Sequence, residues 1–347
     1  MITNTASAGS AAGLRRPAAI TVTGLRKSYG DQVVLDGIDL NIPEGSVFCL
    51  LGPNGAGKTT AVKILSTLTG PDAGQVTIAG HDLAADPDGV RAAIGVTGQF
   101  SAVDIYLNAE ENLRLMADLH HLDRRTGRQR CAELIEQFDL GEAGKKPVAA
   151  FSGGMKRRLD LAMTLVGSPR IIFLDEPTTG LDPRARRATW QIIRDRVAEG
   201  VTIFLTTQYL EEADELADRI AVLDHGRLVA EGTAAELKRR VPGSSIVLSF
   251  GTVTALDAAV RTLGGQAIRS DDDLTLQIPG DGSARSVQAV LNRLDTESVE
   301  NLELRTPELD DVFLALTGQS PAGTSPASTS SASTSTDSTS TDKETQA

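Results

Sequence analysis

Residues Gly52-Pro53-Asn54-Gly55-Ala56-Gly57-Lys58-Thr59 have the spacing G-x-x-x-x-G-K-[ST] of a phosphate-binding loop. Glycines let successive backbone N–H groups turn toward one anion, and a helix starting there aims its positive end at the same point. Lys58 is placed to reach β- and γ-phosphates, and the Thr59 hydroxyl to meet Mg²⁺. A glycine-rich turn that binds nothing is the bland alternative. Lys58 and Thr59 in register, after the apolar run Val47–Leu51 and before the helical pattern from Thr60, weigh against it.

A second group of residues fits the same chemistry. Ile171-Ile172-Phe173-Leu174-Asp175-Glu176 is an apolar strand ending in two carboxylates. Asp175 is expected beside the Mg²⁺ at Thr59, while Glu176 points elsewhere and polarises a water in line with the γ-phosphate. Ser152-Gly153-Gly154 opens the helical pattern through Leu159, Leu161, Ala162 and Leu165, which makes another anion-facing helix start. One nucleotide needs only one cradle, so a second cradle implies a nucleotide sandwiched between neighbouring copies. Alone, this Ser would read as an ordinary helix cap.

These residues need an α/β scaffold. Short apolar, β-branched runs at Ile171–Leu174, Thr202–Thr206 and Ile220–Leu223 suit strands covered on both faces. Ile20–Thr23, Val33–Leu40 and Val76–Ile78 read as an earlier β-rich part, and residues 108–138 as mostly helical. The chain divides into a flexible tail at 1–18, a nucleotide-binding unit at 19–242, an accessory module at 243–318 and a Ser/Thr-rich disordered tail at 319–347. In the module, strand, helix, two strands, helix and strand suggest a split, ferredoxin-like α+β fold closed by a helix over Glu308–Leu316.

Bulk composition narrows the partners. The 347 residues are 40% hydrophobic and 23% charged, ordinary for a globular protein, and 46 acids against 34 bases give a net charge of −12. That balance opposes a broad nucleic-acid surface. Cys49 and Cys131 fall in apolar patterns and read as core thiols, outside any disulfide framework or zinc site. Residues 1–18 lack the apolar stretch of a secretory signal, and no run approaches the ~18 apolar residues of a membrane span. Action at a membrane would need a partner.

Together, Gly52–Thr59, Ser152–Gly154, Asp175–Glu176 and Gly180-Leu181-Asp182 resemble the ATP-binding cassette (ABC) superfamily over about residues 20–242. The resemblance implies a P-loop ATPase cassette with a β-rich and a helical subdomain. Tyr29 would stack on adenine, although a packed core tyrosine is the alternative. Gln99 would link Mg²⁺ to a membrane subunit, and Asp182 would lie at a dimer interface. ATP would touch Tyr29, Gly52–Thr59, Thr60 and Gln99, with Mg²⁺ on Thr59, Gln99 and Asp175. Ser152–Gly154 would come from the second copy of a head-to-tail dimer.

Two departures narrow the resemblance. The usual signature Leu-Ser-Gly-Gly-Gln is here flanked by Phe151 and Met155, and the usual switch histidine is replaced by Gln208. A glutamine donates a hydrogen bond to γ-phosphate but carries no proton. Hydrolysis is therefore expected to persist with Glu176 as main base and with slow or atypically pH-dependent turnover. Phe151–Asp160, Val96–Gln99, Leu205–Asp214 and Leu309–Leu314 all resemble the daunorubicin-resistance type of ABC ATPase, extending the match to about Gly318. That type implies efflux of a hydrophobic drug or antibiotic through a separate integral membrane permease, with the ATPase peripheral on the cytoplasmic face of the membrane. Export of a lipid or polysaccharide precursor is the nearest alternative. A soluble ABC protein acting on ribosomes or DNA would be expected to carry two cassettes or a coiled-coil insertion.

Remaining charged runs read as surface. Lys156-Arg157-Arg158 suits a solvated helix face with one or two salt bridges, and Glu211, Glu212, Asp214, Glu215 and Asp218 an exposed acidic face. Asp271-Asp272-Asp273 reads as a polar turn. Leu309, Val312, Phe313 and Leu316 form an apolar stripe suited to docking.

Overall fold

A computed structural model describes residues 16–318, apart from 99–101, 142, 242–243, 265–266, 281–282, 295–297 and 306. In chain order the elements begin with β1 (Ala18–Tyr29), β2 (Gln32–Pro43), β3 (Val47–Leu51), α1 (Lys58–Leu65), β4 (Ala73–Ile78), β5 (His81–Asp82), α2 (Pro87–Ala93) and β6 (Ile94–Thr97). Helices α3 (Ala109–Leu119), α4 (Arg124–Gln137) and α5 (Gly153–Thr164) follow, then β7 (Ile171–Asp175), α6 (Pro183–Ala198), β8 (Thr202–Thr207) and α7 (Leu210–Leu216). The nucleotide-binding part ends with β9 (Arg219–Asp224), β10 (Arg227–Gly232) and α8 (Ala234–Lys238). Beyond it lie β11 (Ser245–Phe250), α9 (Val253–Leu263), β12 (Ile268–Ser270), β13 (Thr275–Pro279), α10 (Ala284–Leu291), β14 (Val299–Arg305) and α11 (Leu309–Thr317).

The central sheet has strand order β10-β9-β3-β8-β7-β6, and β6, β7, β8, β3 and β9 run parallel. Every residue of β3, β7 and β8 is buried. Their uniform burial has a two-fold origin, because alternate residues point to opposite covered faces. Phe48, Leu50, Phe173 and Phe204 pack with the antiparallel sheet β2-β1-β4-β5 through Ile20, Leu25, Leu35 and Ile38. Cys49, Leu51, Ile172, Leu174 and Leu205 pack instead with Leu113, Leu134, Leu159 and Ile193 from the helices. Both cysteines are free and buried, the core position their setting predicts.

Parallel pairing puts the functional ends side by side. Leu51 pairs with Thr207, and Asp175 with Thr206, so the loop after β3, the carboxylates ending β7 and the segment after β8 share one edge. Ligand sites in open α/β sheets form at such carboxyl ends.

The last sheet has order β12-β13-β11-β14, antiparallel throughout, with Leu248, Leu256 and Leu276 in a separate small core. Asp271–Asp273 lie in the turn between β12 and β13. Helix α11 departs from this module: Leu309, Val312 and Phe313 are buried in the same core as Leu210, Ala213 and Leu237 of the nucleotide-binding part.

Candidate nucleotide site

The loop Gly52–Gly57 ends in a left-handed glycine, Gly57 at φ 111°, which caps α1 with no side-chain bond. A Cβ on Gly57 would sit 2.8 Å from the Val34 carbonyl oxygen, and one on Gly52 2.4 Å from that of Leu223. Both positions therefore exclude side chains. Among the described residues, the N–H groups of Gly55, Gly57, Lys58 and Thr59 make no hydrogen bond within the protein. Four such donors within five residues at a helix start suit an anion cradle.

Lys58 is buried, and its Nζ donates to the carbonyls of Gly52 at 2.8 Å and Pro53 at 3.1 Å. Glu176 Oε1 lies 3.5 Å from the same nitrogen. Burial lowers the Lys58 pKa, and the facing Glu176 carboxylate opposes that shift. Asp175 Oδ1 accepts from Thr206 Oγ1 at 2.6 Å and from Thr59 Oγ1 at 3.4 Å. The first turn of α1 and the end of β7 thus bring the metal-binding candidates Thr59 and Asp175 together.

Glu176 has φ 50°, a left-handed conformation that costs of order 1 kcal/mol or more in a non-glycine residue. Its N–H is fixed by the Thr206 carbonyl at 3.1 Å and hydroxyl at 3.2 Å, and Thr179 Oγ1 donates to Oε2 at 3.3 Å. This turn swings Glu176 off the strand line toward Lys58, while Asp175 stays on the strand. Gln208, half-buried, follows the last residue of β8. Tyr29 ends β1 half-exposed, with Lys27 Nζ 5.4 Å from its ring centroid. That exposure disfavours the packed-core reading of Tyr29. Pro53, Asn54, Ala56 and Thr60 lie in the loop and first helical turn, whereas Gln99 falls outside the described residues.

Ser152 caps α5 by accepting from Met155 N–H at 3.3 Å, and Asp182 caps α6 by accepting from Ala185 N–H at 2.8 Å. A Cβ on Gly154 would stand 3.0 Å from Ala185 Cβ, so glycine lets these two helix starts meet. Among the described residues no hydrogen bond joins Ser152–Gly154 to Gly52–Thr59 of the same chain.

Two surface readings need correction. Arg157 is buried: it pairs with Asp160 at 3.0 Å and donates to the Gly98 carbonyl at 3.3 Å, while Asp160 accepts from Ala102 N–H at 3.2 Å. Glu212 is also buried, with 0% exposure, and accepts from Trp190 Nε1 at 3.2 Å. Trp190 of α6 offers it a buried donor, which the acidic run around it does not reveal. Thr206, which orders the Asp175 carboxylate and the Glu176 backbone, carries no chemical motif of its own in the sequence; its signal is a polar pair, Thr206-Thr207, after the apolar Ile203–Leu205.

A parallel sheet with a phosphate loop, a paired acid edge and a second glycine-opened helix defines a P-loop ATPase cassette. A family model described as "ABC transporter" matches residues 35–179. The chain is 49% identical over 303 residues to the daunorubicin resistance ATP-binding protein DrrA3 of Streptomyces coeruleorubidus, spanning 86% of this chain and 96% of that protein. It is 47% identical over 309 residues to the doxorubicin resistance ATP-binding protein DrrA of Mycobacterium tuberculosis, spanning 86% and 93%. Among solved structures, a dimeric post-hydrolysis ATP-binding cassette bound to ADP and Pi superposes with TM-score 0.56 at 27% identity, over 62% of this chain and 98% of that one. The chain belongs to the ATP-binding subunits of ABC transporters, in the daunorubicin/doxorubicin-resistance group, and is an ABC-type ATPase. Among the described residues no helix is long and apolar enough to cross a membrane.

Proposed function

We propose that this ATPase drives efflux of a hydrophobic drug or antibiotic through a separate integral membrane permease, as a pair of copies on the cytoplasmic face of the membrane. The resistance proteins it resembles support the substrate class, and the dimeric cassette supports the pairing. The observation that carries the reading is Lys58 held between the loop carbonyls and Glu176 beside the Thr59–Asp175 pair.

The N–H groups of Gly55, Gly57, Lys58 and Thr59 cradle the phosphates, and Tyr29 stacks on the adenine. Lys58 then exchanges Glu176 for phosphate oxygen, which frees the carboxylate. Glu176 accepts a proton from water as its oxygen attacks the γ-phosphorus and the bond to the bridging oxygen breaks. Gln208 donates an amide hydrogen bond to the γ-phosphate. Thr59, Asp175 and Gln99 would hold Mg²⁺, which supplies charge neutralisation on the phosphates. Two protein oxygens already adjacent fit an ion that keeps water and phosphate in its shell.

Ser152–Gly154 of the second copy close the other side of the nucleotide, and Asp182 lies at that interface. ATP closes the pair, hydrolysis reopens it, and the permease alternates access. The module at 243–318 is assigned a ferredoxin-like fold, supported by its antiparallel order β14-β11-β13-β12.

Glu176→Gln tests the base: ATP still binds, turnover falls by about 100-fold or more, and a closed dimer accumulates on size exclusion. Normal hydrolysis in this variant overturns the assignment.

A further inference from the structure

Glu212 is a fully buried carboxyl that no step above uses. It lies in the first turn of α7, four positions after Gln208, and its Oε1 accepts from Trp190 Nε1 on α6 at 3.2 Å. The hydroxyls of Thr207, at the end of β8, and of Thr178, two residues past Glu176, face the same group. Arg186 of α6 also faces it, and Arg157 of α5 is within its electrostatic reach. Burial raises the pKa of this carboxyl, which disfavours its charged form.

Three stretches of chain meet at this side chain. One is the switch segment Thr207-Gln208-Tyr209. Another is Glu176–Thr179, where Glu176 itself is held left-handed. The third is α6, whose first turn is capped by Asp182 and whose Trp190 is buried. Glu212 Oε2 and Thr178 Oγ1 are buried without a hydrogen-bond partner among the described residues. Such unsatisfied polar groups are expensive, and native proteins retain few of them. An aliphatic residue would fill the volume without that cost but could not accept from Trp190 of α6 or offer a polar group to Thr178 and Thr207.

We propose that Glu212 is a positioning residue that locks the Gln208 segment to the Glu176–Asp182 stretch, so that switch, base and dimer-interface loop move as one body. This inference rests on the roles given above to Gln208 and Glu176. A shift of about 1 Å between reacting groups can cost on the order of 100-fold in rate.

The test measures steady-state ATPase and nucleotide affinity of the full chain. Glu212→Ala is expected to lower kcat by about 10- to 100-fold while ATP affinity stays within about twofold. Glu212→Gln keeps an acceptor for Trp190 and a donor for threonine, and is expected to restore most of that turnover. In a Gln208→Ala background, Glu212→Ala should add little, because both changes disable the same arrangement. Multiplicative losses in the double variant, or Glu212→Gln as slow as Glu212→Ala, overturn the proposal.

Should Glu212→Ala fail to fold, Trp190→Phe decides: a several-fold fall in kcat supports the brace, and unchanged turnover sinks it. Glu176→Gln separates this inference from the reading beneath it. If that variant hydrolyses ATP normally, the site assignment itself fails; if it is inactive while the Gln208 and Glu212 losses multiply, only the Glu212 role fails.

Discussion

Asp160→Ala should destabilise the fold more than its surface-like sequence context suggests. Arg157 and Asp160 are 8% and 4% exposed, and the pair closes at 3.0 Å. Burial already lowers the Arg157 pKa, and Asp160 is the strongest influence opposing that shift. Removing Asp160 leaves a guanidinium in the interior without its counterion, a change that costs about 3–5 kcal/mol. The Ala102 N–H loses its acceptor as well. At roughly 2–4 °C per kcal/mol for a domain of this size, the melting temperature should fall by about 6–20 °C. Replacing both partners, as Arg157→Met with Asp160→Leu, should recover most of the loss, since apolar substitutes for buried pairs are often neutral or better. Thermal and urea unfolding of the two singles and the double would measure the coupling. A single variant melting within about 2 °C of the parent, or a double as unstable as the sum of the singles, would refute the buried-pair argument.

Two further outcomes follow from other parts of the site. Gly57→Ala places a Cβ 2.8 Å from the Val34 oxygen at φ 111°, and strain of about 1–3 kcal/mol should distort the cradle. Titration calorimetry should show ATP affinity reduced about tenfold or more, and unchanged affinity would remove the cradle from the account. The second outcome concerns pH. Glu212 has a folded-state pKa above its ordinary value of about 4.5, so the folded chain binds this proton more tightly than the unfolded one. Its contribution is fully present below about 4.5 and is lost as pH rises through the raised value. The melting temperature of Glu212→Gln relative to the parent should therefore climb as pH rises above about 4.5. A flat difference would place an ordinary carboxylate there.

The phosphate loop was legible because its chemistry is local: Gly57, Lys58 and Thr59 act through backbone turns and reaches set by their own spacing. Strands β3, β7 and β8 were legible for a related reason, since burial on both faces leaves unbroken apolar runs. Arg157 and Glu212 were not, because their environment is built by distant elements. Helix α7 has only 7 residues, too few for an apolar stripe to show which of Glu211 and Glu212 turns inward. The Trp190 indole, 22 residues away in the chain, makes that choice by offering a donor. The left-handed turn at Glu176 was equally hidden, since nothing in Leu-Asp-Glu-Pro marks a positive φ.

Helix α11 gives the molecule a peculiar connectivity. The chain leaves the ATPase at α8, builds a separate four-stranded sheet, and returns to plug Leu309, Val312 and Phe313 back among Leu210, Ala213 and Leu237. The excursion is a handle riveted at both ends. Cutting it away would unroof a greasy hollow directly on the helix that follows Gln208. A tug on the handle would reach α7, whose first residue, Leu210, stands two positions after Gln208.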